Sequence, residues 1–379
     1  MNFEYSDEQT SIRKMVRDFS REVLMPGAQE IDQENRFPLE YIKQLAELGL
    51  MGIAYPEKYG GVGADSIVEA IAVEEITYAC AATGSILTAH YLGIDGLFLA
   101  GNEEQKQKYL VPGCQGENLF AFCLTEPNGG TDVSSMQTTA YLDGEEYVIN
   151  GTKHFITNGT YADTLVVYAK TDTTQGNRGI SAFIIEKGTP GLIYGAGDDK
   201  MGIRGARTHE LIFEDCRIPK DNLIGNEGDG FKIAMQVVDR GRIGIAAMAV
   251  GLSQAALDAA VRYSKERITF KNPISNYQGI QWMLAEMETE LEVGRLYTYY
   301  TASLKDKEGY RISKEASIAK LFTSEASNRI VHKALQIHGG YGYMKEYTVE
   351  RLYRDQRILE IFEGTSQVQK IVISQYVLK

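Results

Sequence analysis

Apolar residues recur along the chain with two different periods, and the period changes twice. In "DEQTSIRKMVRDFSREVLM" they are spaced three and four residues apart, which predicts an amphipathic helix with Ser6 or Asp7 as its cap. The same spacing in "PLEYIKQLAELGL" predicts a helix that stops at Gly49. The following "SIVEAIAVEEITYACAATGSILTAHYLGIDGLFLAG" is apolar on most faces, as buried helices are. Residues 1–120 are therefore predicted to be helical.

Short apolar runs bounded by turn residues begin near 121 and continue to about 225. These runs, "EYVING", "TLVVYAK", "GISAFIIEK" and "HELIFEDC", predict a small, mainly antiparallel β-domain. Helical spacing then returns and continues to residue 379. Helices followed by strands and again by helices predict an α+β multidomain fold with segregated layers, not alternating βα units. The predicted domains are 1–120, 121–225 and 226–379.

Composition and charge exclude several classes of function. The chain has 39 basic and 51 acidic side chains, a net charge of −12, which argues against a nucleic-acid surface. The four cysteines form no C-x-x-C pair and the five histidines show no metal-ligand spacing, so neither a disulfide framework nor a metal site is predicted. The apolar run 243–252 is too short to span a bilayer, and the N-terminus lacks a signal pattern. We expect a cytoplasmic protein without membrane insertion.

Four short segments could each bind a ligand, and each also has an ordinary structural interpretation. The glycines of "CLTEPNGGTDVSS" would let a phosphate or a flat ring approach the backbone, or they form a simple connection. "KHFITNGTYADTL" predicts a hairpin with Phe155 in the core. "RITFKNPISNYQ" is either a phosphate-binding arm or a helix end with a solvated Arg267, where Asn272 and Pro273 stop the helical pattern. "QIHGGYGYMKEY" predicts a helix C-cap at Gly339. No Rossmann or P-loop motif is present.

A fifth segment, "LEIFEGTSQVQK", places the acidic residue Glu363 inside an apolar run ahead of the last predicted helix. Taken alone, Glu363 is most simply an ordinary acid before a helix start. Ile361 and Phe362 predict desolvation, which would raise its pKa, whereas a helix that begins near Thr365 would lower it. The alternative interpretation is a residue placed there to accept a proton.

Together and in this order, the five segments resemble the acyl-CoA dehydrogenase family, and most closely its short-chain, butyryl-CoA-type members. The matching pieces are "LTEPNGGTD", "FITNG", "ERITF", "QIHGGYGY" and "IFEGTSQVQ", and they extend over essentially the whole chain. The resemblance implies an N-terminal helical domain, a middle β-domain and a C-terminal four-helix bundle. It implies FAD between the β-domain and the bundle, in a homotetramer built as a dimer of dimers. The implied reaction converts a short-chain acyl-CoA into the trans-2-enoyl-CoA and passes the electrons to electron-transfer flavoprotein.

The resemblance also implies binding residues. Contacts with FAD are expected from Phe122, Leu124, Thr125, Gly130, Thr131, Phe155, Ile156, Thr157, Arg267, Thr269, Phe270, Gln278, Gln336, Ile337, Gly339, Gly340, Thr365 and Gln367. Contacts with the substrate are expected from Thr131, Asp239, Arg242 and Gly364. The group from Arg267 to Gln278 corresponds to an arm that reaches the FAD of a neighbouring subunit.

By the same resemblance, Glu363 is the catalytic base. An α-proton next to a thioester is too weakly acidic for water at neutral pH, so its removal needs a preorganised base and hydrogen bonds to the carbonyl oxygen. In isovaleryl- and long-chain-type relatives the base comes from the position of Gly241, which cannot act as an acid or a base. Glu360 is a weaker alternative.

The sequence leaves the acyl group and the physiological direction open. The helix "GSILTAHYLGIDGLF" carries no Arg or Lys, which argues against a dicarboxylate substrate. Its Asp95 either faces polar neighbours or a helix end, or acts as a second acid on a cyclic acyl-CoA, as in some members of the family that the chain resembles. An acyl-CoA oxidase is a further alternative, although the long C-terminal extension of classical oxidases is not found. A non-catalytic acyl-CoA scaffold is the remaining one. Oxidation of a saturated acyl-CoA and reduction of an enoyl-CoA are both compatible with the sequence.

Overall fold

The N-terminal part of the chain is helical, as predicted. The computed structural model describes residues 4–307 and 309–379. The first helices are α1 Asp7–Phe19, α2 Met25–Glu34, α3 Leu39–Glu47, α4 Ser66–Ala79, α5 Ala81–Ala100, α6 Glu103–Gln105 and α7 Val111–Cys114. The predicted cap is confirmed, since Ser6 Oγ accepts the backbone N–H of Gln9 and the Gln9 side chain accepts the N–H of Ser6. Helix α3 ends just before Gly49, which has a φ of +71°.

The middle of the chain forms one eight-stranded sheet. Its strands are β1 Phe120–Cys123, β2 Thr139–Asp143, β3 Glu146–Thr157, β4 Thr164–Lys170, β5 Ile180–Glu186, β6 Leu192–Gly197, β7 Thr208–Pro219 and β8 Leu223–Ile224. The order is β6-β7-β3-β2-β4-β5-β8, with β1 beside β4. Among the described residues only the β1–β4 and β2–β4 pairs are parallel, so the prediction of a mainly antiparallel sheet is confirmed.

The predicted hairpin around the Asn158–Gly159 turn is wrong. Strands β3 and β4 flank this turn but do not pair with each other, because β3 pairs with β2 and β7 whereas β4 pairs with β1, β2 and β5. Phe155 is also not a core residue, since 61% of its surface is exposed. The β3–β7 register shifts between Lys153 and Ile156, and this bulge turns Phe155 outward with a φ of +58°.

The C-terminal part is a bundle of long helices. Its helices are α8 Gly230–Glu266, α9 Gln278–Lys305, α10 Ser313–His338, α11 Thr348–Gln356 and α12 Ser366–Val377. Helix α8 packs against α4, α5, α9 and α10, so both helical parts share one core. Helix α8 is long and apolar enough to cross a membrane, but 78% of its most apolar stretch is buried in the protein, as expected for a core helix. The predicted α+β multidomain fold is confirmed.

Two helix ends bear on the ligand-binding segments. Helix α8 ends at Glu266, earlier than predicted, and the next residues form the short hairpin of β9 Ile268–Thr269 and β10 Asn272–Pro273. Helix α10 ends at Gly339, which has a φ of +58° as its C-cap, so that prediction is confirmed.

Candidate active site

Glu363 lies on a sharp turn ahead of α12. Its φ is +50° and that of Gly364 is +92°, so two successive residues adopt a left-handed conformation that bulky residues rarely accept. Thr365 caps α12 by accepting the N–H of Val368 at 3.3 Å, which starts the helix directly after the turn. Glu363 as a whole residue is half-buried, but its Oε2 atom is fully buried. The turn therefore directs the carboxylate into the protein.

The carboxylate of Glu363 occupies space that only a glycine on α8 leaves open. A Cβ atom at Gly241 would lie 2.6 Å from Glu363 Oε2 and 2.5 Å from Leu92 Cδ2, closer than real atoms approach. The two positions considered for a base from the sequence, 241 and 363, thus lie side by side. Glu360 points elsewhere, because it accepts a hydrogen bond from Asn328 at 2.6 Å and lines a separate groove of about 380 Å³.

Burial raises the pKa of Glu363 to about 7, against the opposing charges of Lys320 and Arg242. Burial also lowers the pKa of Lys320 to about 8, although the carboxylate of Glu363 opposes that change. Within the described residues, neither cation comes within 4.0 Å of the Glu363 carboxylate. The prediction that desolvation raises the pKa is therefore supported. A carboxyl group that titrates near neutral pH is suited to general-base catalysis.

Buried polar atoms without a hydrogen-bond partner cluster around Glu363. Among the described residues they include Glu363 Oε2, Arg242 Nε and Gln369 Oε1. Arg242 Nη1 donates to Asp239 at 2.6 Å and to Ser317 Oγ at 3.1 Å, which holds the guanidinium between α8 and α10. Since most buried polar groups in proteins are paired, such a cluster is typical of a site that binds a ligand.

Two residues of this cluster were missed at the sequence level. Lys320 Nζ and Gln369 Nε2 both donate to the carbonyl oxygen of Gly364, at 2.7 and 2.8 Å. Both side chains are fully buried. A signal for Lys320 exists in "SIAKLF", where a cation lies between two pairs of apolar residues in the sequence of a predicted helix.

Helix α5 links the Glu363 region to the β-sheet segments. Leu92 lies beside the base, and the next residue, Gly93, packs so closely on Phe120 that a Cβ would be 2.6 Å from its Cβ. Asn158 Nδ2 donates to the carbonyl oxygens of Ile86 and Phe120, both at 3.1 Å. Six residues of helix correspond to about 9 Å, so the Asn158 anchor lies about 9 Å along α5 from Leu92.

A buried ion pair fixes the loop after β1. Lys153 Nζ donates to Glu126 Oε1 at 2.8 Å and to the carbonyl oxygen of Leu124 at 3.2 Å. The Glu126 carboxylate also accepts the N–H groups of Gln137 and Thr138. Burial lowers the pKa of Lys153 to about 8 despite the attraction of Glu126. The loop is therefore attached to β3, the strand that carries the exposed Phe155 near its C-terminal end.

The residues expected to bind FAD fit a flat, apolar ring with phosphates. The exposed ring of Phe155 offers a stacking face, while Gly130 and Thr131 leave the backbone of the braced loop accessible. Phe122 packs against Tyr168 with ring centroids 5.1 Å apart. Three of the predicted contacts are buried as whole residues in this chain and so offer little surface to a ligand: Leu124, Ile156 and Ile337.

A second group of predicted residues lies at the other end of the bundle. Gln336 follows Lys320 by 16 residues of α10, or about 24 Å. Near it, the Arg267 guanidinium lies 5.5 Å from the ring centre of Tyr341, and Phe270 is 91% exposed at the hairpin tip. A Cβ at Gly339 or Gly340 would contact nothing within 4 Å. Each chain therefore carries two separate clusters of the predicted ligand-binding residues.

Asp95 faces polar neighbours, as the ordinary interpretation predicted. It is buried on α5 and accepts hydrogen bonds from Tyr55 Oη at 2.9 Å and from Arg240 Nε at 2.8 Å. Burial raises the pKa of Tyr55 well above its usual value, so its hydroxyl remains a donor. The carboxylate of Asp95 thus neutralises a buried guanidinium.

Comparison with known proteins identifies the family of the chain. Three family models match the chain: "Acyl-CoA dehydrogenase, N-terminal domain" at residues 6–117, "middle domain" at 121–216 and "C-terminal domain" at 228–378. "Acyl-CoA dehydrogenase, short-chain specific" of Clostridium acetobutylicum is 49% identical over 375 residues, covering 99% of each chain. "Acryloyl-CoA reductase (NADH)" of Anaerotignum propionicum is 47% identical over 381 residues, covering 100% of this chain and 96% of the relative.

Two solved structures are also similar over their full length. Butyryl-CoA dehydrogenase from Megasphaera elsdenii has a TM-score of 0.98 at 43% identity, covering 100% of both chains. A chain of the structure described as "Electron transferring flavoprotein of Acidaminococcus fermentans: Towards a mechanism of flavin-based electron bifurcation" has a TM-score of 0.99 at 47% identity, also covering 100% of both. The chain belongs to the acyl-CoA dehydrogenase family and is an oxidoreductase with FAD as its cofactor.

Proposed function

We propose that this protein dehydrogenates a short-chain acyl-CoA to the trans-2-enoyl-CoA, with Glu363 as the catalytic base. The observation that carries this proposal is the Glu363 carboxyl group, buried, without a partner at Oε2, and with a pKa of about 7. The short-chain specific dehydrogenase and the butyryl-CoA dehydrogenase among its relatives support a short acyl group.

Proton removal is the step in which this chain's own residues act. The Glu363 carboxylate takes the proton from the α-carbon and becomes a neutral acid, a form that its buried site favours. FAD, when bound, would supply the acceptor for the hydride that leaves the β-carbon, and the electron pair left by the α-proton would form the new double bond. Leu92 and the apolar face of α5 exclude water from the acyl group, which strengthens the electrostatic interactions around it.

Four residues are proposed to contact the substrate. Thr131 lies on the accessible loop, where its hydroxyl suits a CoA phosphate, and Gly364 lets the thioester approach the backbone of the turn. Arg242 is buried beside the base and paired with Asp239, so we assign this pair to the thioester end of the pantetheine.

The two separate clusters support a site that is completed between subunits. The arm around Phe270 lies at the opposite end of the bundle from Glu363, so we infer that it reaches the FAD of a neighbouring chain in a homotetramer. Similarity to a chain of the electron-transferring flavoprotein structure supports electron-transfer flavoprotein as the acceptor. We further propose a cytoplasmic location.

A second candidate is the reverse reaction, reduction of a short enoyl-CoA. The observation that favours it is the 47% identity to an acryloyl-CoA reductase (NADH). The same carboxyl group would then donate the α-proton, since its pKa near 7 lets it act as an acid or a base. Rates with electron-transfer flavoprotein that is supplied either oxidised or reduced distinguish the two directions.

The test is anaerobic bleaching of the flavin by butyryl-, hexanoyl- and cyclohexane-type CoA esters. Wild type should bleach fastest with the short chain. Glu363→Gln should keep its FAD but lose bleaching by several orders of magnitude, whereas Glu360→Gln should resemble wild type. Retained bleaching in Glu363→Gln would refute the assignment of the base. Fastest bleaching by the cyclic ester would refute the proposed substrate, and peroxide formation that exceeds reduction of electron-transfer flavoprotein would favour an oxidase.

A further inference from the structure

Lys320 is a buried cation that the proposed reaction does not itself use. Its side chain lies on α10 with no exposed surface, and its ammonium donates to the carbonyl oxygen of Gly364 at 2.7 Å. No carboxylate of the described residues lies within 4.0 Å of the ammonium. A fully buried lysine without an ion-pair partner costs stability, so its presence beside the base needs a reason.

The turn that carries the base is held from two helices. Lys320 of α10 and Gln369 of α12 donate to the same oxygen of Gly364, and Gln369 also donates to the carbonyl oxygen of Glu363 at 3.3 Å. A φ of +50° is strained for a glutamate, and such a conformation persists only where surrounding contacts enforce it. These hydrogen bonds fix the two peptide planes that direct the carboxylate toward Gly241.

We propose that Lys320 and Gln369 are positioning residues for the base: both hold the Glu363–Gly364 turn, and the charge of Lys320 keeps the carboxylate available to accept a proton. This inference rests on the proposed function of Glu363. The two residues differ usefully, because Gln369 supplies only hydrogen bonds whereas Lys320 supplies a hydrogen bond and a positive charge.

Charged groups face Glu363 from two packed helices. Lys320 approaches from α10, and Arg242 approaches from α8 with Asp239 as its own partner. On the same segment, Glu360 is turned toward Asn328. Burial raises the pKa of Glu363, and of the two opposing cations Lys320 has the larger effect. Removing its charge should therefore raise the pKa of the base further.

The experiment compares Lys320→Met and Gln369→Leu with a matched control, Lys333→Met, in the FAD-containing protein. Lys333 lies on the same helix but pairs with Glu286 at 2.8 Å on the outer side. The first readout is the pH profile of kcat/KM for butyryl-CoA. The second does not depend on activity: the infrared C=O band of the protonated carboxyl, identified as the band missing in Glu363→Gln, is titrated against pH.

Lys320→Met should move both the acidic limb of kcat/KM and the infrared titration upward by about one pH unit, the effect of losing a nearby opposite charge. Gln369→Leu should lower kcat about ten- to a hundredfold because the base is misplaced, and it should leave the acidic limb of the kcat/KM profile at its wild-type pH. Lys333→Met should match wild type. An unshifted titration in Lys320→Met, or a wild-type kcat in Gln369→Leu, overturns the proposal. If Lys320→Met does not fold, Lys320→Gln replaces it, because that variant removes the charge but keeps a hydrogen-bond donor, and the same upward shift is expected; an unshifted titration in Lys320→Gln equally overturns the proposal.

Failure of this inference is distinguishable from failure of the proposed function. If Glu363→Gln is inactive while both variants behave like wild type, only the positioning role is wrong. If Glu363→Gln keeps its activity, the assigned base is wrong, and the infrared band still reports whether Lys320 controls the protonation of that carboxyl.

Discussion

The raised pKa of Glu363 makes the proposed base a source of instability, and this can be measured. Folding raises the pKa of its carboxyl from the usual 4.5 to about 7, which is opposite to the usual case for acidic residues. The folded protein therefore holds this proton more tightly than the unfolded chain does. Stability associated with the group is present below pH 4.5 and is lost progressively as the pH rises toward 7. Glu363→Gln, which resembles the neutral acid, should remove this loss.

The magnitude follows from the two pKa values. One pKa unit corresponds to about 1.4 kcal/mol, so full ionisation of Glu363 in the folded protein costs on the order of 3 kcal/mol. By the linkage relation, the free energy of unfolding of Glu363→Gln should exceed that of wild type by about 1 kcal/mol at pH 5 and by about 3 kcal/mol at pH 7. A variant that abolishes catalysis should thus be more stable than wild type, and increasingly so between these two values.

The assay is chemical denaturation at fixed protein and FAD concentrations, followed by circular dichroism at several values from pH 5 to 7. Fixed concentrations matter because cofactor binding and subunit association both contribute to apparent stability. Glu360→Gln is the control, since that residue lies outside the base cluster and should show no comparable trend. If the stability difference between Glu363→Gln and wild type does not change with pH, then folding does not raise the pKa of the Glu363 carboxyl group, and the reasoning is refuted.

Three further substitutions test other parts of the site. Gly241→Ala should lower kcat at least tenfold with FAD retained, because the added Cβ occupies the space of the Glu363 carboxylate. Gly279→Ala is the control and should match wild type, since its added Cβ would have no atom within 4 Å. Equal kcat values for the two variants would contradict the placement of the Glu363 carboxylate against Gly241. Asp95→Asn should lower stability by about 1–3 kcal/mol, measured by denaturation, since it leaves the mostly buried Arg240 without its carboxylate partner. A selective loss of activity on cyclic esters would instead support a second acid. Phe155→Ala should change the free energy of unfolding by less than about 0.5 kcal/mol, because the ring is exposed. It should raise the Kd for FAD, measured by flavin titration, and an unchanged Kd would contradict stacking of the flavin on this ring.

Periodicity was sufficient to predict the layers of the fold, because these follow from which faces must be buried. The capping residue Ser6 and the stop at Gly339 were predictable for a similar reason, since local backbone hydrogen bonds determine them. The same reasoning failed at "FITNG". An Asn-Gly turn between two apolar strands favours a hairpin, but which strands pair depends on long-range contacts, here the anchoring of Asn158 to α5.

Within the candidate site, acidic and glycine residues were predictable and their supporting residues were not. Glu363 and Gly241 were identified through a family resemblance in short motifs. Lys320 and Gln369 lie 43 residues before and six residues after the base, and only the packing of α10 on α12 brings them to one carbonyl oxygen. Hydrogen bonds that hold a turn from another helix leave no periodic pattern in the sequence.

The least predictable residues are those whose backbone adopts a conformation that their type of side chain disfavours. Phe155, Phe270 and Glu363 are all large residues with positive φ, a conformation that costs on the order of 1 kcal/mol or more each. Phe270 and Lys271 form the two-residue turn between β9 and β10, where Asn-Gly would be favoured. In the proposed function each of these three residues offers a side chain to a ligand, two aromatic rings to the flavin and one carboxylate to the proton. Ile203 has a φ of +47° without such a role, so the strained backbone supports a ligand-binding role only where the side chain also lies at the candidate site.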